Sequence, residues 1–261
     1  MKNSVTLITF NIRTDQAQHD GINSFRNRLP GIVSFFQKIR PDIICFQEFT
    51  DTMFLELADK LSDYYIVGCG RGEDFGGEHC AIAYRKMAFE LLSLDTFWLS
   101  ETPEKEGSRF PFQSIWPRIC TTAVLKKKAG GEPFRIYNTH LDHVSEFARQ
   151  LGLKRIVERI GTDYEKQPRP LLLTGDFNAV PGSSPFSVLR DSGGPALQDL
   201  SADFPSTFHE FGKLPSGGIK IDYIFSDAGT AARVKNKMLY TQKENGVYLS
   251  DHYPLGITFT L

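Results

Sequence analysis

The sequence predicts an α/β protein, a four-layer α/β sandwich in which two mixed, mainly antiparallel β-sheets pack face to face and are flanked by helices. Three observations lead there. Apolar strand-like runs alternate with helical stretches up to Leu61, a βαβα opening. A set of strands separated by Gly-, Pro- and Lys-rich turns follows, as in an antiparallel meander. Two groups of strands with helices outside them bury their apolar faces best by stacking the sheets. One large mixed sheet is the alternative.

Taken in order, residues 5–10 read as a first strand, 25–39 as an amphipathic helix, 42–48 as a strand and 53–61 as a helix. Strands follow at 64–68, 79–85, 89–97, 119–127 and 133–141. A helix over 145–160 gathers Phe147, Leu151, Leu153, Ile156, Val157 and Ile160 on one face, and leads through Pro168 and Pro170 to a buried strand at 171–174. After Ser184 a short helix and a loop precede two last strands, 221–225 and 256–261. Repeats and linkers are not apparent.

The bulk properties narrow the function. At 261 residues the chain is read as one domain, 1–261. It is 41% hydrophobic and 23% charged, and no apolar stretch approaches the ~20 residues of a membrane span. Lys2 and the short run after it lack the basic head and cleavage site of a signal peptide, so the cytoplasm is the default. Cys45, Cys69, Cys80 and Cys120 form no CxxC pair and read as reduced, structural thiols. A net charge of −1 and a pI near 6.6 provide no field for long nucleic acids. Lys126-Lys127-Lys128, before Ala129-Gly130-Gly131, reads as a solvated hairpin tip.

The chemistry is concentrated at strand ends. Leu173-Thr174-Gly175-Asp176-Phe177-Asn178 ends an apolar strand on a carboxylate and a carboxamide. Such a carboxylate can hold or deprotonate a water, and the amide can donate to an anionic oxygen. An ordinary Asx turn would look the same. Five further segments share the pattern: Asn11, Gln47-Glu48, Asn138 with His140 and Asp142, Asp222, and Ser250-Asp251-His252. So many polar groups at strand ends would cost several kcal/mol each if left unpaired. A shared hard cation accounts for them, and an oxygen-rich set without cysteine suits magnesium.

In order, Thr9-Phe10-Asn11, Gln47-Glu48, Asn138-Thr139-His140-Leu141-Asp142, Gly175-Asp176-Phe177-Asn178, Ile221-Asp222-Tyr223-Ile224 and Ser250-Asp251-His252-Tyr253-Pro254 resemble the endonuclease/exonuclease/phosphatase superfamily, whose best-known member is pancreatic deoxyribonuclease. The resemblance spans nearly the whole chain and implies a four-layer sandwich that hydrolyses phosphoesters by metal-assisted in-line attack of water. It implies Glu48 as the principal Mg2+ ligand, with Asn11 and Asp251 beside it, Mn2+ substituting. It implies Asp176 as the residue that orients or deprotonates water, Asn178 as a donor to transition-state oxygens, His252 facing the phosphate and Asp222 fixing its tautomer. His140 is expected to donate to a phosphoryl or leaving-group oxygen, with Glu78 as its carboxylate partner. Arg118 and Asn138 are expected at the substrate phosphate. His19, His79, His143 and His209 lack motif support, and His143 reads as a surface residue. Phe97 and Trp98 read as buried strand aromatics, while Trp116 is the better recognition candidate.

The expected activity is a magnesium-dependent phosphodiesterase on a nucleic-acid end or nucleotide-like substrate, acting as a monomer without a membrane partner. The alternatives are a phosphomonoesterase of a small metabolite and a catalytically silent binding domain. Retention of Glu48, Asp176 and His252 argues against the last.

Overall fold

Alternate residues of the central strands face different layers, and this sets the architecture. On β1 (Ser4–Asn11) Val5 and Leu7 point to one apolar cluster, Ile8 and Phe10 to another; on β2 (Ile43–Gln47) Ile43 and Cys45 part from Ile44 and Phe46 in the same way. A strand buried on both faces must lie in a sheet covered on both sides. The computed structural model describes residues 4–189 and 194–261. Residues 1–3, with Lys2, and 190–193, within the loop expected after Ser184, lie outside the described residues.

One sheet has the order β11-β12-β1-β2-β4-β3, with β3 (Tyr64–Val67), β4 (Ile82–Arg85), β11 (Val234–Leu239) and β12 (Leu255–Thr260). The other runs β5-β6-β7-β8-β10-β9, built from β5 (Phe89–Trp98), β6 (Ile119–Lys127), β7 (Phe134–His140), β8 (Leu171–Asp176), β9 (Leu197–Asp199) and β10 (Asp222–Asp227). Among the described residues, only β1/β2 and β7/β8 pair in parallel. The sheets meet through Leu7, Ile43, Ile82, Leu125, Ile136, Leu172 and Phe259. Helices α1 (Phe25–Ile39) and α2 (Asp51–Ala58) cover the outer face of the first sheet, and α3 (Glu146–Lys166) that of the second through Leu153, Ile156, Val157 and Ile160. The expected four layers are present.

Some boundaries differ from expectation, for local reasons. Helix α2 starts at Asp51 because Thr50 caps it, its hydroxyl accepting from the Met53 amide at 3.3 Å. The strand expected from residue 79 is regular only from Ile82, with isolated bridges from His79 to Phe49 and to Gly70. Strands β9 and β11 and the short α4 (Ala228–Ala231) were not expected; β11 is a polar edge strand, Val-Lys-Asn-Lys-Met-Leu, with little apolar alternation. Lys127 lies within β6, and its ammonium donates to the Ser4 carbonyl at 2.9 Å, so it is not part of a solvated tip.

An ion-pair cluster pins α3 to β7. Asp163 receives the Tyr137 hydroxyl at 2.8 Å and Arg159 Nε at 3.1 Å, and pairs with Arg135. Burial would raise the Asp163 pKa, but these partners hold it below the ordinary carboxylate value. A carboxyl depressed on folding contributes stability that is present above its unfolded pKa of about 3.9 and lost as pH falls through the lower folded value. The difference in urea midpoint between the wild type and Asp163→Asn is therefore expected to be full at pH 6 and to shrink below pH ~4. A pH-independent difference would assign the effect to packing.

Gly175 is required by the parallel β7/β8 pairing. Its φ is +147°, and a Cβ there would lie 2.0 Å from the Thr139 carbonyl oxygen. Gly175→Ala is expected to cost about 3 kcal/mol or more in urea unfolding. An unchanged midpoint would show that the two strands can separate freely.

Candidate active site

Strand direction brings the polar strand ends to one rim. The parallel pair β1/β2 ends on Asn11 and Gln47, leading into Glu48; the parallel pair β7/β8 ends on His140 and Asp176, which are in register. Strand β10 is antiparallel to β8 and begins at Asp222, opposite Asp176. Because β12 is antiparallel to β1, the segment before it delivers Asp251 and His252 to the same end. The cleft there measures about 430 Å³ and is lined by Glu48, Asp176, Asn178, Asp251, His252, His140, Arg118 and Glu78, among others.

At the centre, Asn11 Nδ2 donates to Glu48 Oε1 and to Asp176 Oδ2, each at 3.0 Å, while its Oδ1 accepts from the Arg13 amide. Asn11 thus clasps the two carboxylates with its nitrogen, while Oδ1, the atom that would serve a cation, accepts from the Arg13 amide. Glu48 Oε2 accepts from the Thr14 amide at 2.9 Å. Burial would raise the Glu48 pKa, but Arg13, the Thr14 amide and Asn11 hold it down. Glu48 and Asn178 have φ of +56° and +48°, the left-handed region that non-glycine residues occupy at a cost. The backbone rotates there to turn each side chain from its strand into the cleft.

Asp176 and His252 are both strongly perturbed, in the same direction. Burial, then the neighbouring Asp222, pushes the Asp176 carboxyl up to about 7, although the Asn178 amide donates to its Oδ1 at 2.8 Å. Burial alone would lower the His252 pKa, but Asp222, 2.8 Å from Nδ1, overcomes it and raises the ring to about 10. The imidazolium therefore donates through Nδ1 to Asp222 and presents Nε2–H to the cleft, 3.8 Å from Asp176 Oδ2.

Ligand atoms of Asp176, Asp222 and His252 lie within 4.8 Å of one another, but the short Asp222–His252 bond marks a proton-holding group rather than a metal cage. A cation fits better beside Glu48. The buried carboxylates Asp176, Asp222 and Asp251 stand with Glu48 against the charges of His252 and Arg13, and burial together with Glu48 raises the Asp251 pKa. Such an all-oxygen surplus of negative charge suits a hard divalent ion, with Glu48 and Asp251 as ligands.

Several expected residues take other places. Asn138 is fully buried below the rim: its Oδ1 accepts from Gln47 Nε2 at 2.6 Å, and its Nδ2 donates to the Phe46 and Ala81 carbonyls. Its amide ties the sheets together and has no group left for a phosphate. Glu78 pairs with Arg71 at 2.9 Å and not with His140, whose Nε2 faces Asn178 Nδ2 at 3.1 Å. Burial, then Arg118 and Arg71, keeps His140 neutral by lowering its pKa well below the ordinary value. Asn178 Nδ2 also donates to the Leu141 carbonyl at 3.1 Å, so its amide hydrogens are engaged until substrate displaces one. Arg118 is buried, with Nη2 2.8 Å from His143 Nδ1 and Nε 3.7 Å from Asp142 Oδ2; Nε and Nη1 make no hydrogen bond, which leaves Nη1 as the nitrogen that a substrate anion would satisfy. Phe97 and Trp98 are core residues as expected.

Sequence reasoning missed Arg13, Arg71 and His143 in the cleft wall, and His209 beneath it. His209 is buried, its amide donates to the Asp251 carbonyl at 2.9 Å, and its ring stacks on Tyr253 at 3.9 Å. The buried Arg28 donates to the carbonyls of Ile12, Arg13, Asn23 and Leu249 at 2.6 to 2.8 Å. It thereby fastens the loop after Asn11 to the segment that leads into Asp251.

Residues 8–252 match the model of the Endonuclease/Exonuclease/phosphatase family. An endonuclease/exonuclease/phosphatase from Bacteroides vulgatus is 32% identical, with a TM-score of 0.88 over 99% of both chains. A mannosyl-6-phosphatase from Bacteroides thetaiotaomicron is 27% identical, with a TM-score of 0.85 over 97% of this chain and 98% of that one. The Drosophila melanogaster protein angel is 27% identical over 274 aligned positions, covering 91% of this chain and 73% of its own length. With two stacked six-stranded sheets among the described residues and a polar rim built from the ends of both, the chain belongs to the endonuclease/exonuclease/phosphatase family.

Proposed function

We propose that this family phosphoesterase hydrolyses the terminal phosphoester of a small molecule, using magnesium and a water held by Asp176. The observation that carries the proposal is the facing pair of buried Asp176 and protonated His252, backed by Asp222, in one cleft with Glu48 and the unsatisfied guanidinium of Arg118. Asp176, fixed by Asn11 and the Asn178 amide, orients the attacking water and takes its proton; as the water oxygen bonds to phosphorus the ester P–O bond breaks, and the alcohol oxygen departs on the opposite side and takes its proton from solvent. His252 donates Nε2–H to a phosphoryl oxygen, and Arg118 binds a second. Glu48 and Asp251 would hold the cation, which when bound neutralises phosphoryl charge and acts as a Lewis acid. Both sheets supply the cleft, so residues 1–261 are read as one catalytic domain.

The likeness over nearly the whole chain to a mannosyl-6-phosphatase supports ranking a phosphomonoester ahead of the phosphodiester that the sequence ranked first, and the cleft has room for a phosphate with a ring-sized substituent. The diester reading keeps one observation in its favour, the half-exposed Trp116 ring as a stacking platform for a terminal base. Hydrolysis of p-nitrophenyl phosphate and bis-p-nitrophenyl phosphate, with magnesium, manganese or chelator, tests both. Chelator-sensitive turnover of the monoester is the expected result, and preference for the diester would restore the phosphodiesterase. Activity that survives chelator would remove the metal from the proposal. Among the described residues, no helix is long and apolar enough to cross a membrane.

A further inference from the structure

One wall of the cleft is more organised than phosphate hydrolysis requires. Arg118 Nη2 lies 2.8 Å from His143 Nδ1. A guanidinium can only donate, so Nδ1 accepts and the ring proton sits on Nε2. His143, exposed and lining the cleft, is thereby fixed as an Nε2–H donor. The next residue back, Asp142, accepts from the amides of Ser114, Val144 and Ser145 and from the Ser114 hydroxyl. Ser114 lies in the loop that carries Trp116, whose carbonyl accepts from Gln113 Nε2 at 2.7 Å. Arg71 covers the Trp116 ring, with its guanidinium carbon 5.0 Å from the ring centroid; it is paired with Glu78, and the Trp98 indole donates to its carbonyl. Half the Trp116 surface remains exposed.

We propose that Trp116 and His143 form the subsite for the alcohol portion of the substrate, and that this alcohol bears a hydroxylated ring, the sugar ring of a sugar phosphate or of a nucleotide. The inference rests on the phosphoester-hydrolase reading above. An indole offers its face to the C–H face of a saturated ring or to a planar base. The groups that share the cleft wall with it are mixed, with His143 Nε2–H as donor and the Glu210 carboxylate as acceptor, while Glu78 keeps Arg71 as its partner. Ring hydroxyls satisfy both kinds at once. A plain alkyl ester would leave His143 Nε2–H without a partner on desolvation, which disfavours it. The bonds from Asp142 to Ser114 hold the Trp116 loop before substrate arrives, so little ordering cost falls on binding.

The test follows ester loss by phosphorus NMR with magnesium. The substrates are a hexose 6-phosphate, a nucleoside 5′-monophosphate and a dinucleoside monophosphate, set against n-propyl phosphate and di-n-propyl phosphate. For the better ring ester, kcat/KM is expected to exceed that of its propyl counterpart at least ~100-fold. Trp116→Ala and His143→Ala should each reduce that ratio at least ~10-fold, mainly through KM, and His143→Gln, which keeps a donor, should recover part of it. Thermal melting checks that the variants remain folded. Preference among the ring esters identifies the source of the ring. A ratio near one in the wild type, or variants that slow ring and propyl esters alike, would overturn the subsite while leaving the hydrolase intact. No hydrolysis of any ester would remove the functional reading and the subsite together.

Discussion

Replacing Asp176 by Asn is expected to lower kcat/KM by at least ~10³ while leaving the urea midpoint unchanged or higher. The two effects separate because the carboxylate is poorly placed for stability. It is buried, and Asp222, a like charge, stands directly opposite it in the β8/β10 register. Burial and that repulsion raise its pKa to about 7, so ionised Asp176 is strained by its surroundings. Asparagine preserves the shape and keeps an oxygen for the Asn178 amide, but cannot take a proton from water; its NH2 turns toward the Asn11 Nδ2 donor, and relief of the repulsion from Asp222 offsets that lost bond. Kinetics and unfolding measured on the same preparation decide the matter. Near-normal turnover would remove Asp176 from the mechanism, and a collapsed midpoint would make it a structural residue.

The second large effect is expected at His252. His252→Ala should reduce kcat at least ~10³-fold, since it removes the imidazolium that faces the phosphoryl group. Magnesium affinity, read by calorimetry, should be maintained or improved, because a positive charge beside Asp251 disappears. The variant also leaves Asp222 buried and unpaired, at a cost of about 3 to 5 kcal/mol. His252→Ala combined with Asp222→Asn should restore the lost stability without restoring turnover. Loss of magnesium binding in folded His252→Ala would identify His252 as a ligand rather than a phosphate contact.

The polar strand ends were legible because an apolar run that abuts a carboxylate or carboxamide is a sharp local pattern: Asn11 closes β1, Gln47 and Glu48 follow the apolar run of β2, Asp176 closes β8 and Asp222 opens β10. Asn138 looked the same in sequence and proved different because it is two residues before His140. Both share the inward face of β7 with Ile136, but Asn138 lies one repeat deeper, about 7 Å below the rim, where only the other sheet can satisfy it. Glu78 and Arg71 were harder to place. They lie in the Gly-rich loop of residues 68–79, where contacts arise from turns such as the Gly70 amide donating to the Phe75 carbonyl rather than from periodicity. His143 was taken for a surface residue because its donor, Arg118, is distant in sequence. Strand β11 carried almost no signal because its exposed edge tolerates lysine and asparagine.

The pairing of β1 with β12, and the bond from Arg28 to the Leu249 carbonyl, join the two ends of the chain at the catalytic rim. Asn11 and Glu48 are separated by most of this sequence from Asp251 and His252, which are positioned only once β12 has seated beside β1. Closing a contact of such high sequence separation is slow, and a partly folded chain that has formed α1 and the local hairpins still lacks a working cleft. Recovery of activity on refolding therefore reports that these distant strands have met, not that the helices have formed.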